Sequence, residues 1–324
     1  MGSRAAIFIK SRDGSLNAYF DRTAAQHMAI NPVVAGHQGM RAKYAEYEPL
    51  DLALVDGAHA FQWLDGGGLL IDEVNRVVMW CAEPDTNPLP RISNYLYEVT
   101  WSGWTAVWSP VGPEGIAAYL GVPVELMGAC HTMGPSSIPG YVETLARTSG
   151  HHGPVVVRLS SHQSVCVFVD SIFADFPEIP VENILSVAQE ASDDPVEMTV
   201  GCDRGEGWGA LVDPSTRTVQ WWSIDAYDRM QPYFSRHWPG WSAEAMGDDF
   251  EWLTPWLPPH VTLKADWQDL IDNVRRTVTS PWLYDADENL RARTLEALSS
   301  LEEQPMLPPC RYVDYHGVIH SPGE

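Results

Sequence analysis

Leu69-Leu70-Ile71-Asp72-Glu73-Val74-Asn75-Arg76-Val77-Val78-Met79-Trp80 reads as two apolar strands about a short polar turn, the pattern of a β-hairpin. The pattern returns at Ala210-Leu211-Val212-Asp213-Pro214-Ser215-Thr216-Arg217-Thr218-Val219-Gln220-Trp221, with Asp, Arg, Val and Trp in the same places. In both stretches an Asp at the start of the turn can hold backbone amides and an Arg opens the return strand.

Other landmarks recur in the same order on either side. Ala5–Lys10 and Leu16–Phe20 form a strand pair ending at Asp21, and Pro154–Arg158 with Ser164–Val169 form another ending at Asp170. Trp101-Ser102-Gly103-Trp104 is matched by Trp238-Pro239-Gly240-Trp241. The spacing between matched points drifts from 149 to 141 to 137 residues, as expected of two copies separated by small loop deletions. Between the landmarks, helices are expected over Ala24–Met28, ending near Pro32, and more weakly over 32–47. Others are expected over Arg91–Val99, Pro113–Leu120, Tyr141–Arg147, Pro180–Glu190 and Asp225–Arg236, with strands at Glu197–Cys202 and Val261–Lys264.

The fold class expected is α+β: two tandem pseudo-repeats, each an antiparallel sheet with helices packed on one face. The expected boundaries are residues 1–150 for the first repeat and 154–264 for the second. Residues 265–324 would add helices and a final hairpin packed on the second repeat. Such copies are expected to sit about a pseudo-twofold axis in a monomer, or to assemble as a dimer.

Composition narrows the function. The net charge of −23 is unevenly spread: residues 1–150 carry 9 Lys+Arg against 15 Asp+Glu, and residues 151–324 carry 11 against 28. Such a field repels nucleic acid and anionic membrane surfaces and draws basic partners. The 5 cysteines are odd in number, without a CxxC spacing, and fit buried thiols in a reducing, cytoplasmic compartment. No secretory leader and no membrane-length apolar run is visible.

Motifs for chemistry do not emerge. Gly66-Gly67-Gly68 precedes a strand instead of a helix and lacks the context of a phosphate loop. Cys130-His131 are adjacent, so on a strand they would face opposite ways. His151-His152 has no ligand spacing with another Cys or His. No cofactor and no metal is expected.

Of each WxGW pair, one Trp is expected in the core, and of Trp221-Trp222 one ring in and one out. Acid clusters and aromatic anchors in the second half remain as candidate partner-binding residues: Asp193, Asp194, Glu206, Asp248, Asp249, Glu251, Trp252 and Trp256. The expected function is a non-enzymatic acidic binding protein, in its sharpest form an immunity protein that caps the cationic active-site cleft of a basic toxin. The alternative is a hydrolase or transferase with a carboxylate-lined site in the groove between the repeats. Catalytic residues present in one copy and absent from the other would mark that alternative.

Overall fold

The computed structural model describes residues 5–24, 27–50, 67–82, 90–121, 141–143, 152–161, 163–170, 176, 178–190, 198–202, 207–224, 230–281, 283 and 286–321. The chain is α+β and divides into two compact units, Met1–Thr132 with Trp267–Glu324, and Met133–Asp266.

The first unit begins with β1 (Ala5–Lys10) and β2 (Leu16–Asp21), an antiparallel hairpin. Helix α1 (Asn31–Ala45) follows, then β3 (Gly67–Asp72), β4 (Val77–Cys81), α2 (Pro90–Thr100), β5 (Thr105–Trp108) and α3 (Pro113–Leu120). β3 lies parallel to β1 and antiparallel to β4, and β5 lies parallel to β4. The expected all-antiparallel sheet is therefore mixed. The reason is α2, whose length carries the chain back over the sheet so that β5 starts at the same end as β4.

β3 and β4 are buried at every position, as unbroken apolar runs are when both faces of a sheet are covered. On one face Trp80, opposite Leu69, donates to Asn94 Oδ1 of α2 at 2.7 Å and stacks on Tyr97. On the other, Gly68 lies opposite Cys81, and a Cβ at Gly68 would come to 3.0 Å from Ile116 of α3. Helices thus sit on both faces, not on one. Gly68 is a close-packing glycine.

Pro32 does not end a helix over 24–28; it sits in the first turn of α1, where its missing N–H costs nothing. Gly36, at φ 71° and ψ 165°, kinks α1, and a side chain there would run into Leu290. His37, just past the kink, packs 5.8 Å from Trp101 and 5.3 Å from Trp104. Burial pushes its pKa, and that of His27, below the ordinary 6.5. A depressed histidine contributes stability fully above 6.5 and loses it as the pH falls through the folded-state value. Thermal melts should therefore weaken as the pH drops below 6.5, and His37→Gln should flatten part of that slope. An identical slope in the variant removes His37 as a source.

The second unit runs β6 (Tyr141–Glu143), β7 (His152–Ser160), β8 (Gln163–Asp170), α4 (Val181–Glu190), β9 (Met198–Gly201), β10 (Trp208–Asp213), β11 (Thr218–Ser223), α5 (Met230–His237) and β12 (Ser242–Ala245). A 3-10 helix at Glu251–Trp256 and β13 (Val261–Lys264) complete it. β6 occupies Tyr141–Glu143, where a helix was expected, and pairs with β8, so it belongs to this unit. The sheet order is β12-β11-β10-β7-β8-β6, and β9 pairs with β13 separately.

One face of this sheet carries the core. Val155, Val157, Val167, Val169, Trp208 and Trp221 pack there with residues of α4 and α5 such as Ile184 and Phe234. Trp222 points to the other face and meets Phe250, 5.7 Å away between ring centres. Trp221 and Trp222 do alternate, yet neither is out in solvent, because this sheet too is covered on both sides.

The chain then returns to the first unit with α6 (Trp267–Val278), α7 (Glu288–Glu302), β14 (Tyr312–Val313) and β15 (Ile319–His320). This corrects the expectation that the C-terminal segment packs on the second repeat. Asp287 caps α7 through the amides of Asn289 and Leu290, while its own N–H donates to Val34 of α1. β14 extends the first sheet beside β5, giving the order β15-β14-β5-β4-β3-β1-β2. Arg91 donates to Leu307 O, Asn94 to Arg311 O, and Arg311 pairs with Glu98 at 2.7 Å. Three polar partners on α2 are what hold the segment here.

Candidate functional site

The two hairpins of like sequence lie in frames that share much of their geometry. In each unit five strands have one order and one set of directions: β5-β4-β3-β1-β2 and β12-β11-β10-β7-β8. Among the described residues Arg76 and Arg217 are the non-glycine residues with positive φ, both at 53°. Each offers its carbonyl to the next strand, to Thr105 N and to Ser242 N, at 2.9 Å. Each sends its guanidinium toward the WxGW glycine, Gly103 or Gly240, itself at φ 80° or 82°. In both motifs the first Trp is buried and donates to a backbone carbonyl at 2.9 Å: Trp101 to Pro32, Trp238 to Ile179. The second Trp, Trp104 or Trp241, is half-buried and meets the first edge-on at 5.4 Å.

The turn aspartates diverge. Asp72 is wholly buried and takes bonds from the amides of Val74 and Asn75, from Asn75 Nδ2 at 2.9 Å, from Tyr119 OH and from Lys10 Nζ at 3.2 Å. Burial alone would raise its pKa, but these donors hold it below the ordinary value. Asp213 takes Ser215 N, Ser215 Oγ and Arg158 Nη1, the last at 3.0 Å, and is likewise lowered against the pull of burial. Where the first unit closes this corner with Tyr119, the second lays the indole of Trp256 against Arg158, 4.8 Å from ring centre to guanidinium carbon.

Trp256 ends the Glu251–Trp256 helix, and that element holds three of the eight expected residues, with a fourth, Asp249, just before it. Leu253 and Phe250 anchor it in the interior. In a 3-10 helix positions three apart share a face, so Trp256 follows Leu253 inward while Glu251 with Thr254, and Trp252 with Pro255, lie on the other faces. Glu251, Thr254 and Pro255 are exposed, and Trp252 and Trp256 are half-buried. Asp249 Oδ1 accepts the Trp252 amide at 2.9 Å, so this carboxylate caps the helix start. The first unit has α3 in the matching place, with Ile116 and Ala117 buried and no tryptophan.

The other four expected residues do not join the patch. Asp248 is interior, at 0% exposure, and so is not part of an exposed patch. Asp193, Asp194 and Glu206 lie outside the described residues, as do Cys130-His131 and His151. The acid is also distributed differently from the expectation. The second unit holds 19 Asp+Glu against 7 Lys+Arg, and the first 24 against 13. The surplus counted in the second half of the chain is partly that of 267–324, which belongs to the first unit. Per residue the second unit remains the more acidic.

Sequence reasoning missed Arg158. The signal was there: Lys10 in β1 and Arg158 in β7 hold matching places, each bonding the repeated Asp of the parallel strand beside it.

No helix among the described residues is long and apolar enough to cross a membrane. Comparison with protein-family models, curated proteins and solved structures finds no match.

Proposed function

We propose that the second unit binds a basic protein partner through the Glu251–Trp256 helix, as an immunity protein would bind a toxin whose active-site cleft is cationic. The observation that carries this reading is the difference between two otherwise parallel corners. At one place in the topology the first unit buries an apolar α-helix, while the second presents Glu251 and Trp252 on the outer faces of a short helix pinned from beneath by Leu253 and by Trp256 against Arg158. A half-buried tryptophan on a rigid support beside an exposed carboxylate is suited to a binding hot spot for a cationic surface.

The same reading takes the two units as copies of one ancestral unit. The shared strand order, the paired φ values of Arg76 and Arg217 and the paired tryptophan bonds support it. It also takes the compartment to be reducing and cytoplasmic, supported by the buried thiols of Cys81, Cys166, Cys202 and Cys310, which form no disulfide among the described residues.

The test is partner capture from the native cytoplasm at low salt and again at about 0.5 M, where long-range steering is screened. One stoichiometric basic partner is expected at low salt. Trp252→Ala should weaken it by about 2 kcal/mol, roughly thirtyfold. Glu251→Lys should slow association and blunt its salt dependence. Asp249 is left intact because it caps the helix. A correctly folded W252A/E251K protein that holds its partner as tightly as the parent refutes the site.

A further inference from the structure

The two units differ at one further corner, on the α4 side of the second sheet. There the second unit has a cavity of about 450 Å³ between the β7–β8 turn, α4 and the turn after β10. This volume lies within the ~300–1,000 Å³ typical of small-molecule sites. Leu159, Leu185 and Pro214 give it an apolar wall, and the exposed Ser161 and Gln189 add neutral hydrogen-bonding groups. Leu159 and Leu185 also pack against the core on that face.

The first unit closes the same place. Lys10 and Arg158 hold matching positions, so Ser11 corresponds to Leu159. Glu73 corresponds to Pro214, each following the repeated Asp. On the helices, the burial pattern of residues 36–42 in α1 is repeated position for position by 184–190 in α4. His37 and Arg41 therefore correspond to Leu185 and Gln189. Arg41 donates to Glu73 at 2.6 Å, and this ion pair ties α1 to the turn after β3. Gln189 and Pro214 cannot form such a pair. From the first unit to the second, Ser, His, Arg and Glu become Leu, Leu, Gln and Pro. The corner loses both ionic groups and gains apolar wall.

We propose that this cavity binds a small uncharged molecule with an apolar body and a hydrogen-bonding head. The body lies against Leu159, Leu185 and Pro214, and the head bonds Gln189 and Ser161. The wall disfavours a charged head. Arg158 borders the cavity, but its charge is matched by Asp213 at 3.0 Å and its guanidinium lies against Trp256. Among the lining residues there is no carboxylate. Neither an anion nor a cation would therefore recover there the hydration it gives up. The cavity lies across the sheet from Phe250 and the helix it anchors, so it is separate from the partner surface proposed above.

Four probes share one apolar body and differ in the head: isovaleramide and isoamyl alcohol are neutral, isovalerate and isoamylamine are charged at neutral pH. Each is titrated into the full chain at the millimolar concentrations where so small a ligand is expected to bind, and followed by NMR chemical shifts. At least one neutral probe should saturate and bind at least about tenfold tighter than both charged ones. Gln189→Arg with Pro214→Glu rebuilds the closure of the first unit and should abolish that binding in a protein that melts like the parent. Gln189→Trp fills the cavity from an exposed position, leaves the turn intact and should abolish it too. A charged probe that binds as tightly as the neutral ones, no saturation by either neutral probe, or neutral binding that survives Q189W or Q189R/P214E each overturns the proposal.

Discussion

Trp238→Ala is expected to destabilise the protein by about 3–5 kcal/mol, the range for emptying a large buried aromatic position. Trp238 is fully buried at the centre of an aromatic cluster. Its ring lies 5.1 Å from Phe234, 5.5 Å from Phe176 and 5.4 Å from Trp241. Truncation also strands the carbonyl of Ile179, which accepts the indole N–H at 2.9 Å. Trp101→Ala should cost a similar amount, because Trp101 has Tyr97, Trp104 and His37 around it and Pro32 O as acceptor. Trp104→Ala and Trp241→Ala should cost clearly less, since those rings are half in solvent. Whole-domain stabilities run to about 5–15 kcal/mol, so the first pair should sharply shift a urea denaturation midpoint. If W238A unfolds within about 1 kcal/mol of the parent, the tryptophan is not where the packing places it.

That one Trp of each WxGW motif is interior was legible from the sequence, because residues three apart on a bent backbone cannot face the same way. The strands were legible too, as apolar runs between turn residues. Their arrangement was less so. Alternation along a strand tells which side chains share a face but not whether both faces are covered, and Trp222 is buried because Phe250 arrives from farther along the chain. The destination of β14 was hidden for a related reason. Two units with the same strand order offer two similar sheet edges. The choice between them rests on Arg91, Asn94 and Glu98, more than two hundred residues before their partners. Arginine is also no signal for positive φ, so the conformation of Arg76 and Arg217 was not readable from residue type.

At the candidate site, Trp252 and Trp256 were visible as aromatic residues among acids, and the structure gathers them on one short helix. Asp248 looked identical to Asp249 in sequence, yet one is interior and the other caps that helix. Adjacent acids at a chain reversal face opposite environments, and only the fold decides which is which. The backbone frame of turn, Arg and Gly is common to both units, whereas the groups closing the corner change from Asn75 and Tyr119 to Ser215 and Trp256.

That change sets the second large effect. Asp72→Ala should cost about 3 kcal/mol, because it leaves two turn amides, the Asn75 amide, the Tyr119 hydroxyl and the Lys10 ammonium without their shared acceptor. Lys10 keeps some access to water, which holds the cost below that of a fully buried orphaned charge. Asp213→Ala should cost about half as much, since Arg158 retains Trp256 and partial exposure, and the Ser215 hydroxyl can turn to water. The two also differ from a core truncation in their pH dependence. Donors hold the folded pKa of Asp72 and of Asp213 below the ordinary 3.8. A depressed carboxylate contributes stability that is complete above 3.8 and is lost as the pH falls through the folded value. The gap between D72A and the parent should therefore be constant from neutral pH down to about 4 and narrow below it, while the gap for W238A stays open. Parallel D72A and parent curves through the acid limb would show that the carboxylate carries no charge-dependent part of the hairpin's stability.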